Sequence, residues 1–126
     1  MGRGFKGGTG NHSSFSDNIR GLKSEYGLNN GYFGIRGEGR EFTRNIICED
    51  PNSEAKAFYD KASFGGIEMV MENGEGVYTK MKDGTIISYR HISKSDGSPA
   101  VEINIRRSTS SGEVKYQKIH FVRRKK

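Results

Sequence analysis

Two kinds of hydrophobic spacing predict an α+β fold, with two N-terminal helices packed on a four- to five-stranded antiparallel sheet. Before Ile67 the apolar residues recur at helical intervals; from Ile67 onward they alternate with a period of two. The alternating half is punctuated by turns, of which Asp83-Gly84 is a strong hairpin signal.

The first helix is expected where Phe15, Ile19, Leu22 and Tyr26 recur at i, i+4, i+7 and i+11, capped by Ser13 or Ser14 and stopped by Gly27. The second is expected to start at Asn52 or Ser53 and to end before Gly65-Gly66. It presents Ala55, Phe58, Tyr59 and Ala62 on one face. Between them "NNGYFGIRGEGREFTRN" (29–45) is so rich in Gly that it reads as a structured loop. Ile67, Met69 and Met71 then open the alternating region, and a turn at Asn73-Gly74 leads into Val77 to Met81. Three more strands follow: "TIISYRHI" (85–92), "AVEINI" (100–105) and "VKYQKIHFV" (114–122). They are separated by the polar segments "SKSDGSP" (93–99) and "STSSG" (108–112). The closing "RRKK" (123–126) reads as a solvated basic run.

A length of 126 residues fits one domain with one modest core. Apolar content is 32% and Gly numbers 18 against two Pro, which favours a compact domain with long Gly-bearing loops over a disordered chain. The net charge of +6 favours a polyanionic partner such as nucleic acid, an anionic membrane or an acidic protein. The single Cys48 excludes an internal disulfide and a multi-cysteine metal site, and no metal or cofactor is expected. No apolar run approaches the length of a membrane span, and "MGRGFKGGTGNHSS" has no hydrophobic core of a signal peptide. Residues 1–12 read as a linker and 13–126 as the domain, as though cut from a longer protein. The domain is expected to act as a monomer.

Strand alternation places a polar cluster opposite the core. Ile119 and Phe121 point inward, so Lys118 and His120 point outward. Val101, Ile103 and Ile105 are core, which puts Glu102 and Asn104 on the outer face. With Ile87 and Tyr89 inward, Ser88 and Arg90 join them, and His91 faces inward or lies at the strand edge. If the three strands are neighbours, a carboxylate, an imidazole and two cations share one surface.

That set suits RNA cleavage by the 2′-hydroxyl, which needs a base for the 2′ proton and an acid for the leaving 5′ oxygen. It also needs cations on a phosphate whose charge grows in the transition state. Glu102 as base, His120 as acid, and Arg90 and Lys118 as clamps would complete such a site without metal. Ser88, His91, Ser95, Asn104 and Arg44 are candidate substrate contacts, and His12 is an alternative catalyst if its segment closes over the sheet. The plain alternative is a solvated face on which Glu102 pairs with Arg90 or Lys118. "GRGFKG" (2–7) matches a dinucleotide fingerprint without the preceding strand, and "GIRGEGRE" (34–41) lacks the Lys-Ser/Thr ending of a P-loop.

The stretch "YTKMKDGTIISYRHISKSDGSPAVEINI…QKIHFV" (78–122) resembles the C-terminal toxin domains of bacterial polymorphic and contact-dependent toxins. The likeness spans roughly residues 29–122, with "DGSPAVEI" and "KIHFV" its clearest motifs. More broadly, the order of elements is similar to the barnase/EndoU/colicin-type ribonuclease superfamily. The resemblance implies a domain secreted or delivered within a larger toxin into the cytoplasm of rival bacteria. There it would cut RNA, often transfer RNA, and be neutralised by a cognate acidic immunity protein. In barnase-like enzymes the base is a Glu on a central strand, the acid a His near the chain's end, and Arg residues bind phosphate. Glu102, His120 and Arg90 stand in matching places, with Lys118 where no second Arg aligns. In EndoU-like members two His and a Lys act, which would recruit His12, His120 and Lys118. A non-catalytic RNA-binding module and a basic protein-interaction module remain the alternatives.

Overall fold

The computed structural model describes residues 15–37, 39–72, 74–92, 97–105 and 114–123. The first helical pattern forms α1 (Phe15–Tyr26), which buries Phe15, Ile19 and Leu22. Gly27 ends it in a left-handed conformation, φ 75°, that a glycine adopts without steric cost, and donates its N–H to Lys23 O at 2.9 Å. The second pattern forms α2 (Pro51–Ala62), burying the expected Ala55, Phe58, Tyr59 and Ala62. It starts slightly earlier than Asn52 or Ser53 because Asp50 is the cap, accepting the Ser53 N–H at 3.3 Å. Pro51 fits the first turn, where its missing N–H has no intrahelical partner to lose. Asn18 Nδ2 ties the helices together, donating to Ala62 O at 2.9 Å and Phe64 O at 3.0 Å.

The stretch between the helices is not the loop its composition predicts. It carries β1 (Leu28–Asn29), β2 (Tyr32–Phe33), β3 (Ile35–Arg36) and β4 (Thr43–Cys48). Asn29 pairs with Tyr32, so Asn30 and Gly31 form a two-residue hairpin loop. Their φ values of 57° and 90° are the pair of positive angles that such a tight turn requires. After α2 come β5 (Ile67–Val70), β6 (Gly76–Lys80), β7 (Ile86–Arg90), β8 (Ala100–Asn104) and β9 (Gln117–Arg123).

The chain is α+β, with two helices and a mostly antiparallel sheet. That sheet has seven strands in the order β3-β4-β9-β8-β7-β6-β5, not four or five, and four strands, β1 to β4, separate the helices. The five expected strands are β5 to β9, each antiparallel to the next. The extra breadth comes from β4, which runs parallel to β9, and from β3 folded back on β4.

Helix α2 lies across β4, β7, β8 and β9, with α1 packed on α2. Phe58 is the centre of this layer, with ring centroids 4.9 Å from Tyr26, 5.3 Å from Phe33 and 5.7 Å from Phe121. Sheet residues Ile87, Val101, Ile103, Ile119 and Phe121 are fully buried against it. Burying each such side chain contributes roughly 1.5–3 kcal/mol, so the helix-bearing face fixes the register of the central strands. The opposite face of the sheet carries no helix among the described residues. No helix among them is long and apolar enough to cross a membrane.

Candidate active site

Register converts the sequence pattern into a map of the open face. Ser88 pairs with Glu102, and Glu102 with Lys118, so one row across three strands reads serine, carboxylate, ammonium. The row continues to Tyr78 on one side and Thr43 on the other. In the next row Arg90 pairs with Ala100, Ala100 with His120, and His120 with Asn45. Directly opposed residues share a face and bring their Cβ atoms to about 4.5–5.5 Å, close enough for one small ligand to touch several of them.

These rows enclose a hollow of about 130 Å³ lined by Ser88, Arg90, Ala100, Glu102 and Lys118. Four of the five lining residues were expected on this face. The fifth, Ala100, is a methyl group that keeps the floor low between Arg90 and His120.

Glu102 is not neutralised by either neighbouring cation. Its Oε2 accepts a hydrogen bond from the Tyr116 hydroxyl. Arg90 is instead ion-paired through Nη1 with Glu75 Oε1, which stands just ahead of β6. Among the described residues no ion pair joins Glu102 to Arg90 or Lys118, so the plain pairing weighed from the sequence is not the one formed.

His120 faces this side of the sheet, yet it is only 5% exposed. It stands beside the hollow, across Ala100, and is not part of its lining. Its Nδ1 lies 3.0 Å from Ser98 Oγ, which fixes the plane of the ring from the loop before β8. Asn104 is half-buried one step along β8, opposite Ile86 and outside the lining of the hollow. His91 follows the last residue of β7 and is exposed at the strand end, so it does not face inward.

Arg44 is a correction. It pairs with Ile119 and so lies on the helix-bearing side of the sheet, away from Glu102, and is 8% exposed. Its guanidinium donates to the carbonyls of Phe33 at 3.3 Å, Glu41 at 3.3 Å and Gly34 at 3.2 Å, and lies 4.7 Å over the Tyr32 ring. It staples the β1–β2 hairpin and β3 to β4 and has no place on the open face. His12 and Ser95 lie outside the described residues.

Sequence reading missed three residues that the geometry brings in: Ser98, Glu75 and Tyr116 as a partner of Glu102. Ser98 and Glu75 lie in turns, where alternation carries no information about direction. Tyr116 was legible as an aromatic at even spacing before Lys118 and His120, which places it on their face.

The arrangement supplies a carboxylate held by one oxygen, two cations within reach of a shared small ligand, and an imidazole fixed at the margin. Such a set can bind an oxyanion and move a proton. Comparison with protein-family models, with curated proteins and with solved structures finds no match to this chain.

Proposed function

We propose that this domain is a metal-independent endoribonuclease toxin that cleaves RNA, with transfer RNA the expected substrate. The observation that carries the reading is the hollow in which Glu102 lies among Arg90, Lys118 and Ser88, with no ion pair to either cation among the described residues. A carboxylate already bound to a guanidinium would be a poor base; this one is held by a neutral phenol.

In the proposed reaction the scissile phosphate sits in the hollow between Arg90 and Lys118, which stabilise charge as it grows on the non-bridging oxygens. Glu102 takes the proton from the 2′-hydroxyl, the 2′ oxygen bonds to phosphorus, and the bond to the 5′ oxygen breaks. His120, as the imidazolium, gives a proton to that leaving oxygen. The products are a 2′,3′-cyclic phosphate and a 5′-hydroxyl. Every role falls to a side chain, so no step passes through a metal. Displacement of Glu75 from Arg90 by the incoming phosphate accompanies binding.

The same reading makes the domain a weapon of interbacterial competition. It is secreted or delivered as part of a larger toxin, acts in the target-cell cytoplasm, and is held in check by an acidic immunity protein covering the open face. The chain's charge of +6 supports both the polyanionic substrate and the acidic inhibitor.

One observation favours a second reading. His120 is only 5% exposed, and a face that serves without its acid is an RNA-binding module that performs no chemistry. Incubating the pure protein with total RNA in the presence of a chelator separates the two. Discrete fragments are expected from the enzyme, and intact but retained RNA from the binding module.

A further inference from the structure

Tyr116 stands immediately before β9 and is fixed from both sides. Lys115 N donates to Gly31 O at 3.0 Å. Gln117 Nε2 donates to the same Gly31 carbonyl at 3.0 Å and to Lys115 O at 2.8 Å, while its Oε1 accepts the Phe33 N–H at 2.8 Å. Gln117 is fully buried, so the β1–β2 hairpin clamps the backbone on either side of Tyr116. The ring meets Phe42 edge to face, at a centroid distance of 5.1 Å and an angle of 73°. Phe42 is itself pinned to β9, its carbonyl accepting the Lys118 N–H at 2.9 Å. A phenol anchored in this way delivers its O–H to Glu102 Oε2.

From this clamp we propose that Tyr116 is the positioning residue for Glu102. The inference rests on the ribonuclease reading and names how its base is held. The phenol occupies Oε2 and keeps its own proton throughout. Oε1 is thereby the oxygen that takes the 2′ proton, and the carboxylate is prevented from swinging to the ammonium of Lys118 opposite. Preorganisation of this kind acts on turnover, since a freely rotating carboxylate must be reoriented in each cycle. It leaves the phosphate clamps, and so substrate affinity, untouched.

Tyr116→Phe retains the ring and its contact with Phe42 and deletes the hydroxyl alone. A charge-assisted hydrogen bond of this type corresponds to a loss of about ten- to hundredfold in single-turnover rate at saturating RNA, with KM unchanged. The same substitution made in Glu102→Gln, whose residual rate is measured alongside, should lower the rate by less than about twofold, because there is no base left to position. In the free protein labelled with 13C at glutamate, Tyr116→Phe should displace the Glu102 side-chain carboxyl resonance. A parent-like rate for Tyr116→Phe overturns the inference. So does a loss that persists undiminished in Glu102→Gln, which would make Tyr116 act independently of the carboxylate. If Glu102→Gln itself cuts RNA like the parent, the failure lies in the assignment of the base, and the positioning role falls with it.

Discussion

Ser98 Oγ lies 3.0 Å from Nδ1 of His120, joining the loop before β8 to the middle of β9 across 22 positions of sequence. As imidazolium, His120 would donate from Nδ1 to this hydroxyl and present Nε2–H as the proton for a leaving oxygen. His120→Ala should therefore lower cleavage by roughly 10²–10⁴-fold. Because the side chain is nearly buried, the variant should also melt earlier, by about 0.5–3 kcal/mol in stability, whereas an outward-facing strand position by itself predicts no such loss. Thermal unfolding and single-turnover cleavage of the same preparation check both parts.

Glu75 and Arg90 form a partly exposed ion pair, with side-chain exposures of 38% and 30%. Such a pair is worth only ~0–1 kcal/mol to the fold. Glu75→Gln should leave the melting temperature nearly unchanged and tighten RNA binding roughly two- to fivefold, since the guanidinium no longer exchanges one anion for another. Arg90→Ala should weaken binding and reduce the slope of log affinity against log salt by about 0.7 for a single-stranded substrate. Fluorescence anisotropy across a salt series, with Glu102→Gln added in every protein to prevent turnover, measures both. Unchanged or weaker binding by Glu75→Gln would show that Arg90 does not meet phosphate.

Arg44 behaves in the opposite way. Its loss orphans the carbonyls of Phe33, Gly34 and Glu41 at a nearly buried position. Arg44→Ala should cost roughly 1–3 kcal/mol in chemical unfolding while leaving RNA affinity and its salt slope at the parent values. A selective loss of RNA binding with normal stability would return Arg44 to the substrate site.

Alkaline stability has a legible origin in Tyr26. Burial, then the hydrogen bond and the charge of Glu54 2.5 Å away, push its phenol above the usual range; burial, then Asp60, does the same to Tyr89. Both phenols hold their protons more tightly folded than unfolded. The stabilisation is full below the unfolded value of about 10 and is lost as the pH rises past it, because the unfolded chain ionises first. Stability should fall between about pH 10 and 12, and Tyr26→Phe should flatten part of that fall, as urea midpoints over this range would show.

Much of the fold was legible because its signals are local. The spacing of Phe15, Ile19, Leu22 and Tyr26 marked α1, and alternation from Ile67 marked all five strands of the antiparallel run. Strand β4 was hidden for a physical reason. Arg44 occupies an inward position, and Ile46 and Ile47 are adjacent instead of alternating, so the strand has no period of two. Asn30-Gly31 was a readable hairpin signal, masked by the glycines around it. On the open face, alternation put Ser88, Arg90, Glu102 and Lys118 on one side, and the pairing of β7, β8 and β9 as neighbours brings them together. The pairing of Arg90 with Glu75 and of His120 with Ser98 was not legible, since each depends on where a turn brings a residue back to the sheet.

Single-turnover cleavage of end-labelled RNA by the parent and by Glu102→Gln, with chelator present and the product ends identified, tests the central claim most directly. The parent should produce discrete fragments ending in 2′,3′-cyclic phosphate. Glu102→Gln should be slower by roughly 10²–10⁴-fold while binding the same RNA at least as tightly, because a negative charge beside the phosphate has been removed. Cleavage by Glu102→Gln at the parent's rate, or RNA that both proteins bind and neither cuts, would contradict it.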